Sequence, residues 1–239
     1  MVGFSKESID LAAEKWDQIE GYNACLHRLL ARRKRKAVVE GPLIESKTGW
    51  KLATLQQSLL YRICALANGA ADAWNANNVP AALIVGRALM ETVALTEFVR
   101  SELLRLGEPM DMAAAERIDE LCNQQLFSTR DEKKVADGHG HMARNILTYI
   151  DKFDKKIPSI RETYDFLSEW AHPNGSGHFF TFGEIDKQTG SVTFQESAPR
   201  VRGIQGHVVA CFMLIQFVEL AMDTFDETIP MVSEAQWRH

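Results

Sequence analysis

The chain has little of what marks the most readily recognised chemistries. Its 7 prolines among 239 residues are too few and too scattered to mark a linker, so one domain is expected although the length would allow two. The 4 cysteines, Cys25, Cys64, Cys122 and Cys211, stand far apart with no Cys-x-x-Cys pair. That pattern excludes zinc knuckles and points to buried thiols in a reducing compartment, without disulfides. Positive charge is not in excess: 27 Lys and Arg against 32 Asp and Glu give a net charge of -5. No general polycation is present to coat nucleic acid, and any such contact must be local. The start lacks a basic segment followed by an apolar core. The strongest apolar run, Val208 to Ile215, is broken by Gln216 and Glu219, well short of the ~20 residues of a membrane span. A cytoplasmic protein with no membrane segment is the expectation. GxxxxGK[ST], GxGxxG after a strand, GxSxG and HExxH are absent as well, which removes the P-loop, kinase and Rossmann readings. No cofactor is implied.

What is present is an ordinary globular composition, 46% hydrophobic and 25% charged, arranged mostly at helical spacing. The pattern predicts an all-α (mainly) fold over 1–239, a multi-helix bundle with the N-terminal 1–45 at its periphery and a hairpin insertion over 174–200. A first helix is expected from Ser8 to Lys36, carrying Leu11, Ile19, Tyr22, Leu26, Leu29 and Leu30, with Gly41-Pro42 stopping the chain. A second runs from Thr48 to Trp74 and a third from Val79 to Leu106, capped by Asn78, with Pro80 in its first turn and Gly107 after its end. Residues 81–99 are apolar nearly all round, with only Arg87, Glu91 and Glu97 charged, so this third helix belongs at the centre. Asp111 caps a fourth, ending near Phe127. A polar stretch, Ser128 to Gly140, leads to a fifth, Met142 to Lys155. A sixth, Ser159 to Ala171, must finish by His172, because Pro173 disfavours helical geometry before it. Alternation around Phe179 to Gln195 reads as a β-hairpin. A last helix, Val201 to about Thr228, is closed by Pro230. Its Val208, Val209, Phe212, Leu214, Ile215, Phe217 and Val218 span more than one face, so a homodimer is expected to cover them.

Three features could carry chemistry. Arg87 and Glu91 stand four apart on the most apolar helix, where charges are rarely buried unpaired. They are either an ion pair fixing helix register or the floor of a polar pocket. Glu169 and His172, three apart, share a face at the end of the sixth helix, where the dipole favours imidazolium. His172 is then either a phosphate contact or acid, or a capping histidine. These residues are expected to line one pocket with Tyr164 and Asn174. Arg32, Arg33, Lys34, Arg35 and Lys36 form a basic run, read as a solvated helix end or as a contact to RNA or phosphate. His139-Gly140-His141 reads as a solvated turn. Glu-x-x-His occurs once, at Glu169, whereas a dinuclear carboxylate site needs two copies and two further Glu.

Arg87-Ala88-Leu89-Met90-Glu91 in a central helix, with Tyr164-Asp165-Phe166-Leu167-Ser168-Glu169-Trp170-Ala171-His172-Pro173 ending a later one, resembles a bacterial family of uncharacterised helical proteins. That family is allied to the HEPN superfamily and to AbiV-type abortive-infection proteins. The similarity covers roughly Leu55 to Phe225. It implies a helical bundle, often dimeric, in cytoplasmic proteins linked to RNA cleavage or phage defence. The sequence departs from the active ribonucleases: their arginine lies a little over one helical turn before the histidine, where Leu167 stands before His172, and Arg161 is the nearest upstream arginine. The leading expectation is a HEPN-like bundle binding a phosphate-bearing ligand or a protein partner. One alternative is a metal-independent ribonuclease with His172 as general acid, Glu169 beside it and Arg87 stabilising phosphate charge. The other is a metal-dependent oxidase.

Overall fold

The computed structural model describes residues 2–10, 13–38, 40–44, 46–107, 109–196 and 202–237, without the side chains of 13–15, 42, 202 and 237. Leu11 of the expected first helix, Val201 at the expected start of the last, and 197–200 of the expected insertion lie outside the described residues. The chain is mainly helical. In order come α1 (Ala13–Ala31), α2 (Lys47–Asn75), α3 (Val79–Leu106) and α4 (Met112–Leu126), then β1 (Ser128–Thr129), α5 (Glu132–Ala136) and β2 (His141–Met142). They are followed by α6 (Ile146–Asp154), α7 (Ile160–Ala171), α8 (Phe180–Phe182), the hairpin β3 (Gly183–Ile185) and β4 (Val192–Phe194), α9 (Arg202–Met213) and α10 (Ile215–Trp237).

The caps read from the sequence set the frame. Asn78 accepts from the Ala81 N–H at 3.2 Å and opens α3 with Pro80 in its first turn, while Asp111 accepts from the Ala114 N–H at 2.7 Å and opens α4. With one orphan amide satisfied at each start, α3 runs its full expected length. It packs on α2, α10, α6, α7, α9 and α4, as an element with apolar residues all round must. A single cluster of buried side chains holds Leu83, Leu89, Val93 and Val99 of α3 together with Leu52, Ile63 and Trp74 of α2 and Phe212, Ile215 and Phe225 of α9 and α10. The N-terminal stretch, expected at the periphery, adds Phe4, Ile19, Leu26 and Leu29 to that same core. All 4 cysteines are buried free thiols; burial pushes Cys25, Cys122 and Cys211 up to about 12 and Cys64 to about 11, so none is a ready nucleophile at neutral pH.

Several expectations are corrected. The first helix ends at Ala31 rather than Lys36, and Arg32, just past its end, bridges Asp223 and Asp226 of α10, each at 2.7 Å. The fifth helix begins at Ile146, where Asn145 caps it; Met142 instead pairs with Thr129 in a two-residue parallel ladder. Phe179 to Phe182 is helical, not strand. Asn174 caps that turn through the Gly177 N–H, and the Thr181 hydroxyl donates to Ser176 O. Only 183–185 and 192–194 form the hairpin, with Ile185 opposite Val192 and Gly183 opposite Phe194.

Pro230 does not close the last helix, which continues to Trp237. Proline removes one intrahelical bond, but Val232 is fully buried and Gln236 bonds both Ser46 and Thr48 of the α2 start. Those contacts hold the last turns. The apolar residues expected to need a second copy are used within the chain: Val208, Phe212, Leu214, Ile215 and Val218 are buried, and Val209 and Phe217 pack against the core. The expectation that no segment is apolar enough to cross a membrane is also corrected. By length and composition Val79–Leu106 and Gly203–Gln236 both qualify, with 56% of each apolar window buried inside the fold, as core helices are.

Candidate functional site

The polar residues of α3 are positioned by helical spacing alone, and the structure shows what each meets. Arg87 Nε donates to Glu91 Oε1 at 3.2 Å, one turn along the helix, and Arg87 Nη2 donates to the Tyr164 hydroxyl of α7 at 3.1 Å. That hydroxyl in turn donates to Glu91 Oε1 at 3.0 Å, and the guanidinium lies over the Tyr164 ring at 5.3 Å. The three groups form a closed triangle across the α3–α7 contact. Burial opposes the charge on Arg87, but the bonds to Tyr164 and Glu91 outweigh it and hold the guanidinium above its ordinary value. Tyr164 is 3% exposed, while the Arg87 and Glu91 side chains keep 27% each. A pair with that much exposure is anchored yet reachable.

The remaining residues of the expected joint site lie at the far end of α7. His172 follows Tyr164 by about 12 Å along the axis at 1.5 Å per residue. It is exposed and serves as C-cap through its backbone, its N–H bonding Ser168 O. Glu169 is exposed and accepts from the Ser176 hydroxyl at 3.2 Å, and Asn174 caps the following turn. Gly177 packs so tightly against this helix end that a Cβ there would overlap His172 O, so only glycine lets the loop lie this close to the end of α7. The structure therefore brings Arg87, Glu91 and Tyr164 together. Among the described residues no hydrogen bond or ion pair joins Glu169, His172 or Asn174 to any of them.

Glu91 instead borders a cleft of about 360 Å³ that faces α4, α6 and the β1–β2 segment. Its lining adds Gln124, Ser128, Arg130, His141, Arg144 and Tyr149. Arg144 donates to Gln124 at 3.2 Å and lies over the Phe98 ring at 5.6 Å. Among the described residues neither Arg130 nor Arg144 forms an ion pair. Past Gln124 and Arg144 the surface dips into a second hollow of about 200 Å³ that includes Arg105, Arg117 and Lys152. The sequence reading passed over Arg130 in the polar stretch 128–140, took His141 as part of a solvated turn and placed Arg144 within the fifth helix, so it did not bring the three together. The one signal for them was the density of Arg130, Lys133, Lys134, His139, His141 and Arg144 in one short stretch; their convergence depended on the parallel pairing of Ser128 with His141, which sequence does not announce.

The basic run divides. Arg32 is tied to α10, Arg33 lies over the Tyr61 ring at 5.0 Å, and Lys34, Arg35 and Lys36 are exposed. No group of three or more His, Cys, Asp or Glu among the described residues is arranged to hold a metal ion, so the donor set of a dinuclear oxidase is not assembled there. Comparison with known proteins finds no match, whether to a family model, a curated protein or a solved structure.

Proposed function

We propose that this chain is a HEPN-like helical bundle that binds a phosphate-bearing ligand, single-stranded RNA foremost, in the cleft beside Glu91. One observation carries the reading: in a chain of net charge -5, Arg130, Arg144 and His141 gather around one concavity without a carboxylate claiming either arginine. Cations left uncompensated on an acidic protein create a local field that attracts anions. The volume lies within the ordinary range of about 300–1,000 Å³ for ligand sites. In the adjoining hollow Arg105 is already paired with Glu102 and Glu120 lies alongside, but Arg117 and Lys152 form no ion pair among the described residues and extend the cationic path, as a strand with repeated phosphates requires. Phe127 and Met142, both more than half exposed next to Ser128 and His141, offer apolar surface on which a base can rest. Glu91, held by Arg87 and Tyr164, supplies a fixed acceptor for base or ribose donors. The resemblance carried by the α3 and α7 motifs adds phage defence as the setting.

Fluorescence anisotropy with a labelled single-stranded RNA, repeated over a range of salt, tests the reading. Binding should weaken with salt, and Arg130→Gln with Arg144→Gln should flatten the logarithmic slope by about 0.7 for each phosphate that is no longer neutralised. Binding that is absent, or indifferent to both substitutions, would place the function elsewhere.

A further inference from the structure

A neighbouring cleft of about 280 Å³ opens between α3 and α6, sharing Tyr149 with the cleft described above and Lys152 with the hollow beside it. We propose that it binds a small organic anion whose apolar body is no larger than one or two rings. The floor is apolar: Ala94, Phe98, Tyr149 and Phe153 line it, and the Phe98 and Tyr149 rings meet at 5.0 Å in a tilted pair. The rim is cationic, with Lys152, Lys155 and Lys156 beside Ser101. The two carboxylates at this cleft are already engaged, Glu97 by Arg100 and Lys156 and Glu102 by Arg105. Lys156 is thereby neutralised. Lys152 sits over the Phe98 ring at 4.5 Å, and among the described residues neither it nor Lys155 meets a carboxylate. The rim therefore keeps unmatched positive charge directly above an aromatic floor.

That combination selects its occupant. A nucleic-acid strand needs polar contacts along its length, which this floor does not provide; a neutral apolar molecule would leave the lysines unanswered. A carboxylate, phosphate or sulfonate on a flat apolar body satisfies both halves. Tyr149 is buried and lines both clefts, and its hydroxyl makes no hydrogen bond among the described residues, which leaves a donor for such a head group. The volume falls just below the usual range of about 300–1,000 Å³ for ligand sites, which limits the body to naphthalene size.

The test is an NMR titration of the full chain with 1-naphthoate, with 1-naphthalenemethanol as the same body without charge and acetate as the charge without body. Naphthoate should saturate with a dissociation constant on the order of 0.1–1 mM and shift the amides of Ala94, Phe98, Ser101 and Phe153. The alcohol and acetate should each bind roughly fivefold more weakly or worse. Lys155→Glu, at an exposed position that leaves the fold intact, should weaken naphthoate by a similar factor. Ala94→Ile fills the floor and should abolish binding, with circular dichroism reporting whether that variant still folds. Equal binding of acid and alcohol, shifts confined to another face, or indifference to Lys155→Glu would each overturn the assignment, whatever Ala94→Ile does.

Discussion

Glu91 and Glu97 lie less than two turns apart on the same helix, each held by a cation from its own helix, and they come to opposite ends. Glu97 has a side chain 4% exposed and is closed in by Arg100 at 2.7 Å and by Lys156 at 2.7 Å from the segment that follows α6. Lys156 also donates to Ser101, whose hydroxyl bonds Glu97 O. Glu91 meets one cation and one phenol and still borders an open cleft. Both look alike in sequence: a glutamate with an arginine three or four residues away on an apolar helix. The difference lies in what the neighbouring segment brings. A lysine across Glu97 completes a structural network, whereas a tyrosine behind Glu91 fixes it while leaving its other side free. A buried charge is evidence of a site only when its partners leave part of it unclosed.

Glu97→Ala leaves Arg100 and Lys156 without their carboxylate and should cost about 3 kcal/mol, the low end for a broken buried pair because Lys156 is 46% exposed. Thermal unfolding should shift down by roughly 6–12 °C for a chain of this size; a shift below about 2 °C would show that solvent replaces the network freely.

Burial raises the proton affinity of Glu97, but the bonds from Arg100 and Lys156 outweigh it and hold the group below its ordinary 4.5. Asp119 is likewise held below 3.8, burial being overcome by Lys51 and Thr48. A carboxylate with a depressed folded pKa adds stability that is fully present above its unfolded value and lost as pH falls through the folded one. The stability gap between the native chain and Glu97→Gln should therefore be flat from neutrality to about pH 5 and shrink below about pH 4.5. A gap that narrows near about pH 6 instead would implicate a histidine.

Glu91→Ala should cost only about 1 kcal/mol, since Arg87 keeps Tyr164 and reaches solvent, but should weaken RNA by more than the loss of stability explains. A variant as unstable as Glu97→Ala with RNA binding intact would make the two glutamates equivalent and remove the distinction drawn between them.

Much of the bundle was legible because helix ends carry local chemistry. Asn78, Pro80 and Asp111 set their boundaries correctly with no tertiary information. The central place of α3 followed from its lack of a polar face. The errors fall where distant contacts decide. Arg32, just past the end of α1, meets carboxylates of α10 nearly two hundred positions away; Pro230 is tolerated because Gln236 and Val232 are held from outside; Met142 is captured by Thr129. For the site, the Arg87, Glu91 and Tyr164 association was readable from the need to pair charges on an apolar helix. The arginines opposite were not, since nothing in 128–144 has a period that reveals its folding back.

The smallest effect is expected at His172, and it decides where the site lies. The imidazole is exposed, and the contacts that fix the residue are made by its backbone: its N–H bonds Ser168 O, and its carbonyl accepts from the Asn174 N–H at 2.8 Å. Alanine keeps both, so His172→Ala should change stability by no more than about 0.5 kcal/mol, the usual range for a surface substitution without a special role. If RNA occupies the cleft beside Glu91, the histidine stands about 12 Å further along α7 from the tyrosine that clamps that carboxylate, beyond direct reach of a phosphate bound there. RNA affinity measured by anisotropy should then stay within twofold of the native value. A loss of tenfold or more with an unchanged melting temperature would move the functional centre to the end of α7 and make the histidine, rather than the paired arginines, the group that meets phosphate.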